Sequence, residues 1–302
     1  MADFETTATQ ADITDLSRPT DTIGRENRGH RLVWIGIQVL LWLYAISVVA
    51  PMLWTVVQSF RDSKEIIFEP WKMPASLLWE NYSDALVRLN VATYFFNSIL
   101  VTTISLVLGV LLAAMIAYVL ARYDFFGNRF IYYYLLSSMV IPGFLLAVPL
   151  WLMIRSWGML NNYASLILIY SSGLAWSVFI LHAFFKTLPP ELEDAAIIDG
   201  CSLFGVWWRV MMPLSTPGIL TVSLFSFLGH WNEYFWALII LWDDAKRTLP
   251  VGMAELLAVQ TYRIDFGPLF AGFVIMLIPT LSVYAVFQGK LTRGITIGAL
   301  KG

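Results

Sequence analysis

The chain has 302 residues, of which 58% are hydrophobic and 13% charged, with a mean hydropathy of +0.69 and a formal charge of −2. So apolar a composition excludes a soluble globular domain of this length and makes the protein integral to a membrane, while near-neutral charge and scattered basic residues leave no footprint for nucleic acid. The single cysteine, Cys201, excludes internal disulfides, and three histidines as far apart as His30, His182 and His230 offer no local ligand spacing, so no metal site is expected.

Residues 1–30 are polar, rich in Thr and Asp, and lack an apolar run, which predicts a disordered tail. The run from Leu32 to Val57 follows three arginines but is far longer than the apolar core of a signal peptide, so it stays in the membrane as a first span. Windows of about 20 apolar residues, enough to cross a hydrocarbon layer of about 30 Å, recur to give six spans. They are 32–57, 94–121, 130–154, 164–185, 216–241 and 267–288. None shows the strict alternation of barrel strands, so all are read as helices, with Pro51, Pro142, Pro149 and Pro279 marking kinks. The predicted fold is an all-α integral membrane protein of about six transmembrane helices, with residues 31–302 as one transmembrane domain. An even number of spans puts both termini on one side, but Lys and Arg are nearly balanced across the two sides once the tail is set apart, so charge does not fix the orientation. Segments 58–93 and 242–266 mix charges with apolar side chains, and are read either as small amphipathic helices meeting an external partner or as helices lying flat on the bilayer.

One polar stretch interrupts the apolar pattern, between the fourth and fifth spans at 187–213. Leu188 precedes a proline and is biased away from helix, so the fourth span ends there and a new helix begins at Pro190. Glu191, Glu193 and Asp194 fall in its first turn, where the helix dipole favours acids, whereas Asp199 falls near its C-terminal end, where the dipole disfavours it. A helix shaped only for stability would not place Asp199 there, which points to a cationic partner outside the chain. Ala196 and Gly200 are four apart and share one face, predicting a small-residue strip for close docking. Gly200 allows a turn into a second short helix, Leu203 to Met212, leading to Pro213.

The pattern D-A-A-x-x-x-G, nine residues, aliphatic, x, apolar, Pro is carried by Asp194, Ala195, Ala196, Gly200, Val210, Met212 and Pro213. It resembles the cytoplasmic coupling loop of ABC-importer permeases. Asn81–Tyr82, Asn97–Ser98, the run 121–127 (Ala-Arg-Tyr-Asp-Phe-Phe-Gly), Gly158 to Asn161 with Tyr163, Trp231-Asn-Glu-Tyr234 and the ending Gly294 to Gly302 extend the likeness over most of 32–302. In order and spacing they resemble the permease subunits of binding-protein-dependent carbohydrate ABC importers, of the same type as the smaller maltose permease subunit. Two departures stand out: Asp194 replaces the usual Glu, and Ile169 replaces a proline expected before Tyr170.

The resemblance implies the type I importer permease architecture and an assembly of two permease subunits, a dimeric ABC ATPase and an extracytoplasmic sugar-binding protein. Both termini would be cytoplasmic at the plasma (inner) membrane. Glu191, Glu193, Asp194, Ala195, Ala196, Asp199, Gly200 and Pro213 would couple to the ATPase, and the 290–302 tail, with Gly294, Gly298, Lys301 and Gly302, would contact it. No G-x-x-x-x-G-K-[ST] loop occurs, so this chain is expected to bind no cofactor, with ATP and Mg on the partner ATPase.

The densest polar set within a span is His230, Asn232 and Glu233, flanked by Trp231 and Tyr234. Polar groups at membrane depth are expensive and face a cavity or a bundle interior. His230 and Glu233, three apart, suit pairing on one face, Asn232 suits a sugar hydroxyl, and an aromatic face suits the C–H surface of a sugar. The other reading is that these groups bond neighbouring helices or the second permease, as expected for Asn97, Ser98 and His182. A stand-alone secondary carrier using Glu233 is the alternative function, although the halves show no evident repeat. A membrane enzyme has neither H-E-x-x-H nor G-x-S-x-G to support it.

Overall fold

The computed structural model describes the backbone of residues 22–263 and 265–299 and the side chains of 30–259 and 265–289. Of the described residues, those up to Trp54 fall in one compact unit and those from Thr55 onward in another. The first holds most of α1 (Thr22–Gln58), which starts inside the segment expected to be a tail; the rest of that segment, 1–21, lies outside the described residues. Its apolar side chains, among them Trp34, Leu40 and Trp42, are exposed.

The second unit continues through α2 (Ser63–Phe68), α3 (Glu80–Ser83) with a π turn at Asp84–Arg88, α4 (Val91–Arg122), α5 (Asn128–Ser137), α6 (Ala147–Ser156), α7 (Tyr163–Ser172) and α8 (Ala175–Thr187). There follow α9 (Glu191–Ile198), α10 (Leu203–Val206), a π turn at Trp207–Met211, α11 (Met212–Leu214), α12 (Thr216–Trp231), α13 (Phe235–Ile240), α14 (Leu249–Arg263) and α15 (Phe266–Ala299). Among the described residues, three unbroken helices are long and apolar enough to cross a membrane, His30–Gln58, Val91–Arg122 and Phe266–Gly289, and the count reaches up to six when each of three bent pairs is taken as one span.

The central element is α4, an apolar run without proline that its 32 residues extend over about 48 Å. Ala113, Ala114 and Ala117 are fully buried on it, and such small side chains let α8 approach closely. Gly109 lies against α7, where a Cβ would stand 3.5 Å from the Ser171 backbone, an ordinary contact distance. At its first turns Asn97 Nδ2 donates to the carbonyls of Ala245 and Arg247, both at 2.9 Å, and Ser98 Oγ accepts from Leu249 N at 2.7 Å. That pair fastens the 244–249 loop to α4.

Near the same end Arg61 is buried, its Nη1 donating to Gln58 Oε1 at 2.9 Å and its Nη2 to the Glu69 and Glu65 carbonyls at 2.9 and 3.2 Å. Asn81 Nδ2 donates to the Ser59 and Arg61 carbonyls, both at 3.0 Å, which gives the Asn81–Tyr82 pair a structural purpose. Segment 58–93 is therefore folded around a buried cation and one amide rather than spread as an amphipathic surface helix.

Three expected spans are broken. The third turns by 96° between Val140 and Gly143, because Ile141 precedes Pro142 and takes an extended backbone (ψ 116°). The fourth bends by 44° between Ser172 and Ala175 although Ile169 occupies the proline position; Ser171 and Ser172 bond back to the carbonyls of Ile167 and Ile169, and Gly173 leaves the helix. The fifth stops at Trp231 and restarts at Phe235.

Candidate functional site: the 187–213 loop and the broken fifth span

Leu188 is extended (ψ 137°), Pro190 occupies the N-cap position and α9 begins at Glu191, within one residue of the expected start. Gly200 ends the turn with φ +83°, a left-handed conformation that L side chains rarely adopt, and Ser202 Oγ caps α10 by accepting from Gly205 N. Ala196, Val206, Trp207 and Met211 are buried in the cluster formed by Tyr118 of α4, Val178, Leu181 and Phe185 of α8 and Val222 of α12. The loop is thus built into the bundle on one side.

That packing corrects two sequence expectations. Ala196 faces the bundle and does not share an outward small-residue strip with Gly200. Glu193, on the same inner face three residues earlier, turns its carboxylate to Arg122, with Nε 2.6 Å from Oε1. Glu191, Asp194, Ala195, Ile197, Ile198, Asp199 and Pro213 are exposed, and among the described residues Asp194 and Asp199 form no ion pair. Beside this surface lies a cavity of about 460 Å³ with Asp199, Cys201, Ser202, Phe204, Trp208 and Arg209 in its lining. Arg122, the residue that orients the inner face, was not singled out for this role in the sequence; its only signal was membership of the Ala121-Arg-Tyr-Asp run.

At the break in the fifth span, Glu233 closes the start of α13. Its Oε1 accepts from Trp236 N at 2.8 Å and its Oε2 from Ala237 N at 3.2 Å, while Tyr170 Oη donates to Oε2 at 2.5 Å. His230 does not pair with Glu233: the chain leaves the helix at Asn232, three-residue spacing no longer means one face, and the imidazole stacks on Tyr170 with centroids 5.1 Å apart. Trp231 is buried against Phe95 and Phe227 and donates from Nε1 to the Met276 carbonyl at 3.3 Å. Asn232 donates back to the Leu228 carbonyl at 2.8 Å. Three of the five expected pathway residues thus serve helix packing and capping, and Asn232 and Tyr234 are the exposed pair. Gly294 and Gly298 belong to α15, which runs to Ala299; Lys301 and Gly302 lie outside the described residues.

A bundle whose interhelix loop is half core and half open surface has a counterpart among known families. The model of the family described as "Binding-protein-dependent transport system inner membrane component" matches residues 105–297. The chain belongs to that family. Among relatives, the diacetylchitobiose uptake system permease NgcG of Streptomyces coelicolor is 39% identical over 263 residues, covering 87% of each chain. The arabinooligosaccharides transport system permease AraQ of Halalkalibacterium halodurans is 31% identical, over 87% of this chain and 98% of its own. The probable ABC transporter permease YurM of Bacillus subtilis is 33% identical, over 94% and 95%. A bacterial ABC transporter structure involved in alginate import superposes with a TM-score of 0.76 at 23% identity, over 87% of this chain and 97% of that one, which establishes the shared fold. As an inner membrane component of a binding-protein-dependent transport system, the protein is a multi-pass transporter permease and not an enzyme. The stand-alone carrier reading falls away.

Proposed function

We propose that this permease is one of two in an importer of oligosaccharides or similar carbohydrates, with a pair of ATPases docked on α9–α11, an external binding protein delivering the sugar, and both termini on the ATPase side. The observation that carries the reading is the two-sidedness of 187–213: an inner face sunk in the bundle core and an outer face of Asp194, Ile197 and Ile198, with the latter 84% exposed. Exposed isoleucines at a loop with unpaired acids are the anchor-and-rim pattern of a protein interface. The carbohydrate class is supported by relatives named for diacetylchitobiose and arabino-oligosaccharide transport. With no phosphate loop in the sequence, ATP and Mg belong to the ATPase. On the sugar's route, Asn232 and Tyr234 at the broken span are the side chains of this subunit open to the sugar or to the second permease. The 290–302 segment adds a second ATPase contact.

The test is copurification from mild detergent with the coexpressed ATPase. The wild-type chain brings the ATPase down, and Ile197→Glu with Ile198→Glu loses it while the permease still inserts. Undiminished capture by that double variant removes the outer face of α9 from the docking reading.

A further inference from the structure

Arg122 ties three chain segments together at a single point, and a fourth is fastened beside it. It stands in the last turn of α4, where its Nε lies 2.6 Å from Glu193 Oε1 on α9 and its Nη2 donates at 2.7 Å to the Leu188 carbonyl, the end of α8. The other carboxylate oxygen of Glu193 accepts from Tyr118 Oη at 3.1 Å. Tyr118 Oη lies 3.3 Å from Tyr123 Oη, and its ring meets Phe185 of α8 edge-on at 5.6 Å. Asn128, opening α5, donates to the Leu120 and Tyr123 carbonyls at 3.1 and 2.6 Å. The Arg122 and Glu193 side chains are only 11% and 14% exposed.

The helix held by this contact has little else to hold it. An isolated helix of eight residues is far below the length that is stable in water. Ala196 is its one buried residue and offers a single methyl group to the core, against the larger apolar side chains that normally anchor a helix. A shielded ion pair with a fixed guanidinium fork is directional where a methyl contact is not. We infer that Arg122 and Glu193 are positioning residues: their ion pair fixes the coupling helix to the ends of α4 and α8, so that displacement of a docked ATPase reaches those membrane helices without being lost in a loose loop. Glu193 itself does not touch the ATPase. This rests on α9 being the docking helix.

The experiment has two arms so that failure of the docking reading is separable from failure of the strut. In the first, a nitroxide on Ile198→Cys in a Cys201→Ser background reports α9 mobility in the permease alone. Arg122→Gln and Glu193→Gln mobilise the label, and the exchanged pair Arg122→Glu with Glu193→Arg restores part of its immobility; Arg122→Lys, which keeps the charge but not the fork, falls between. In the second, the assembled transporter is tested in nanodiscs: the ATPase still copurifies with each single variant, but stimulation of hydrolysis by the loaded binding protein falls about tenfold, within the usual range of site-to-site coupling. An unchanged nitroxide spectrum in both Gln variants overturns the strut. Loss of ATPase capture in Glu193→Gln but not in Arg122→Gln also overturns it, by making Glu193 a direct contact. If the wild type captures no ATPase, the docking reading fails, and the nitroxide arm still decides whether the pair orders α9.

Discussion

Glu233 shows how a residue type that suggests chemistry in a membrane sequence can be used for architecture. A carboxylate at membrane depth is costly unless its oxygens are occupied, and here Trp236 N, Ala237 N and Tyr170 Oη supply three donors. The acid thereby closes the start of α13, whose first backbone N–H groups would otherwise have no partner. Glu233→Gln keeps a carbonyl oxygen in the same place, whereas Glu233→Ala leaves those donors bare, a cap loss of about 1–2 kcal/mol. Sugar uptake is expected to survive the Gln variant, with the Ala variant less thermostable in detergent; equal loss of uptake in both would instead require the charge itself. The sequence marks Glu233 for a sugar pathway, for bonds to neighbouring helices or the second permease, or as a carrier's acid, and its hydrogen bonds fit the second of these. What the sequence lacked was the break at Asn232–Tyr234, a tertiary event that turns i and i+3 into strangers, since Glu233 finds its hydroxyl partner on α7, 63 residues away.

At the scale of elements, six apolar windows were legible because hydrophobic length is written locally, and the 187–213 loop was legible because its punctuation, Pro189–Pro190, Gly200 and Pro213, acts through the backbone. The direction each loop helix faces was not. Period alone grouped Ala196 with Gly200, but Glu193 and Ala196 turn inward together because α4 offers an arginine, Arg122, 71 residues upstream of Glu193, and α8 an apolar shelf of Val178, Leu181 and Phe185 on another helix. Within the chain, Gly200 is called for by conformation rather than clearance: φ is +83° and a Cβ there would meet nothing within 4 Å. For other residues the left-handed conformation costs about 1–2 kcal/mol, less for Asn, whose side chain bonds locally. Gly200→Asn is therefore expected to retain more uptake than Gly200→Ala at matched expression. A strip that needed only small side chains would rank them the other way, Ala above Asn, and that order in a transport assay would restore the strip.

For the whole molecule the open quantity is which end of the long α4 faces the ATPase. One end carries the 244–249 loop and the Arg61 and Asn81 network, the other the Arg122 cluster and 187–213, and the docking proposal requires the second to face the interior. The balance of Lys and Arg could not settle this from sequence, because several of the charges are spent inside the fold, Arg61 and Arg122 among them, and so say little about the surface each end shows to the membrane. Cys201 supplies the measurement. It is the one thiol of the chain, half-buried, and it lines the 460 Å³ cavity beside the outer face of α9. A membrane-impermeant maleimide should label it in inside-out vesicles and not in intact cells, with denatured protein as the control for slow reaction of a partly covered thiol. Labelling in intact cells would invert the topology and take the docking surface with it. Added ATPase should then slow labelling in the vesicles, since a partner seated on Asp194, Ile197 and Ile198 would also close the mouth of the cavity. A rate that does not change on ATPase binding would keep the orientation but move the interface away from Cys201, towards the N-terminal turn of α9.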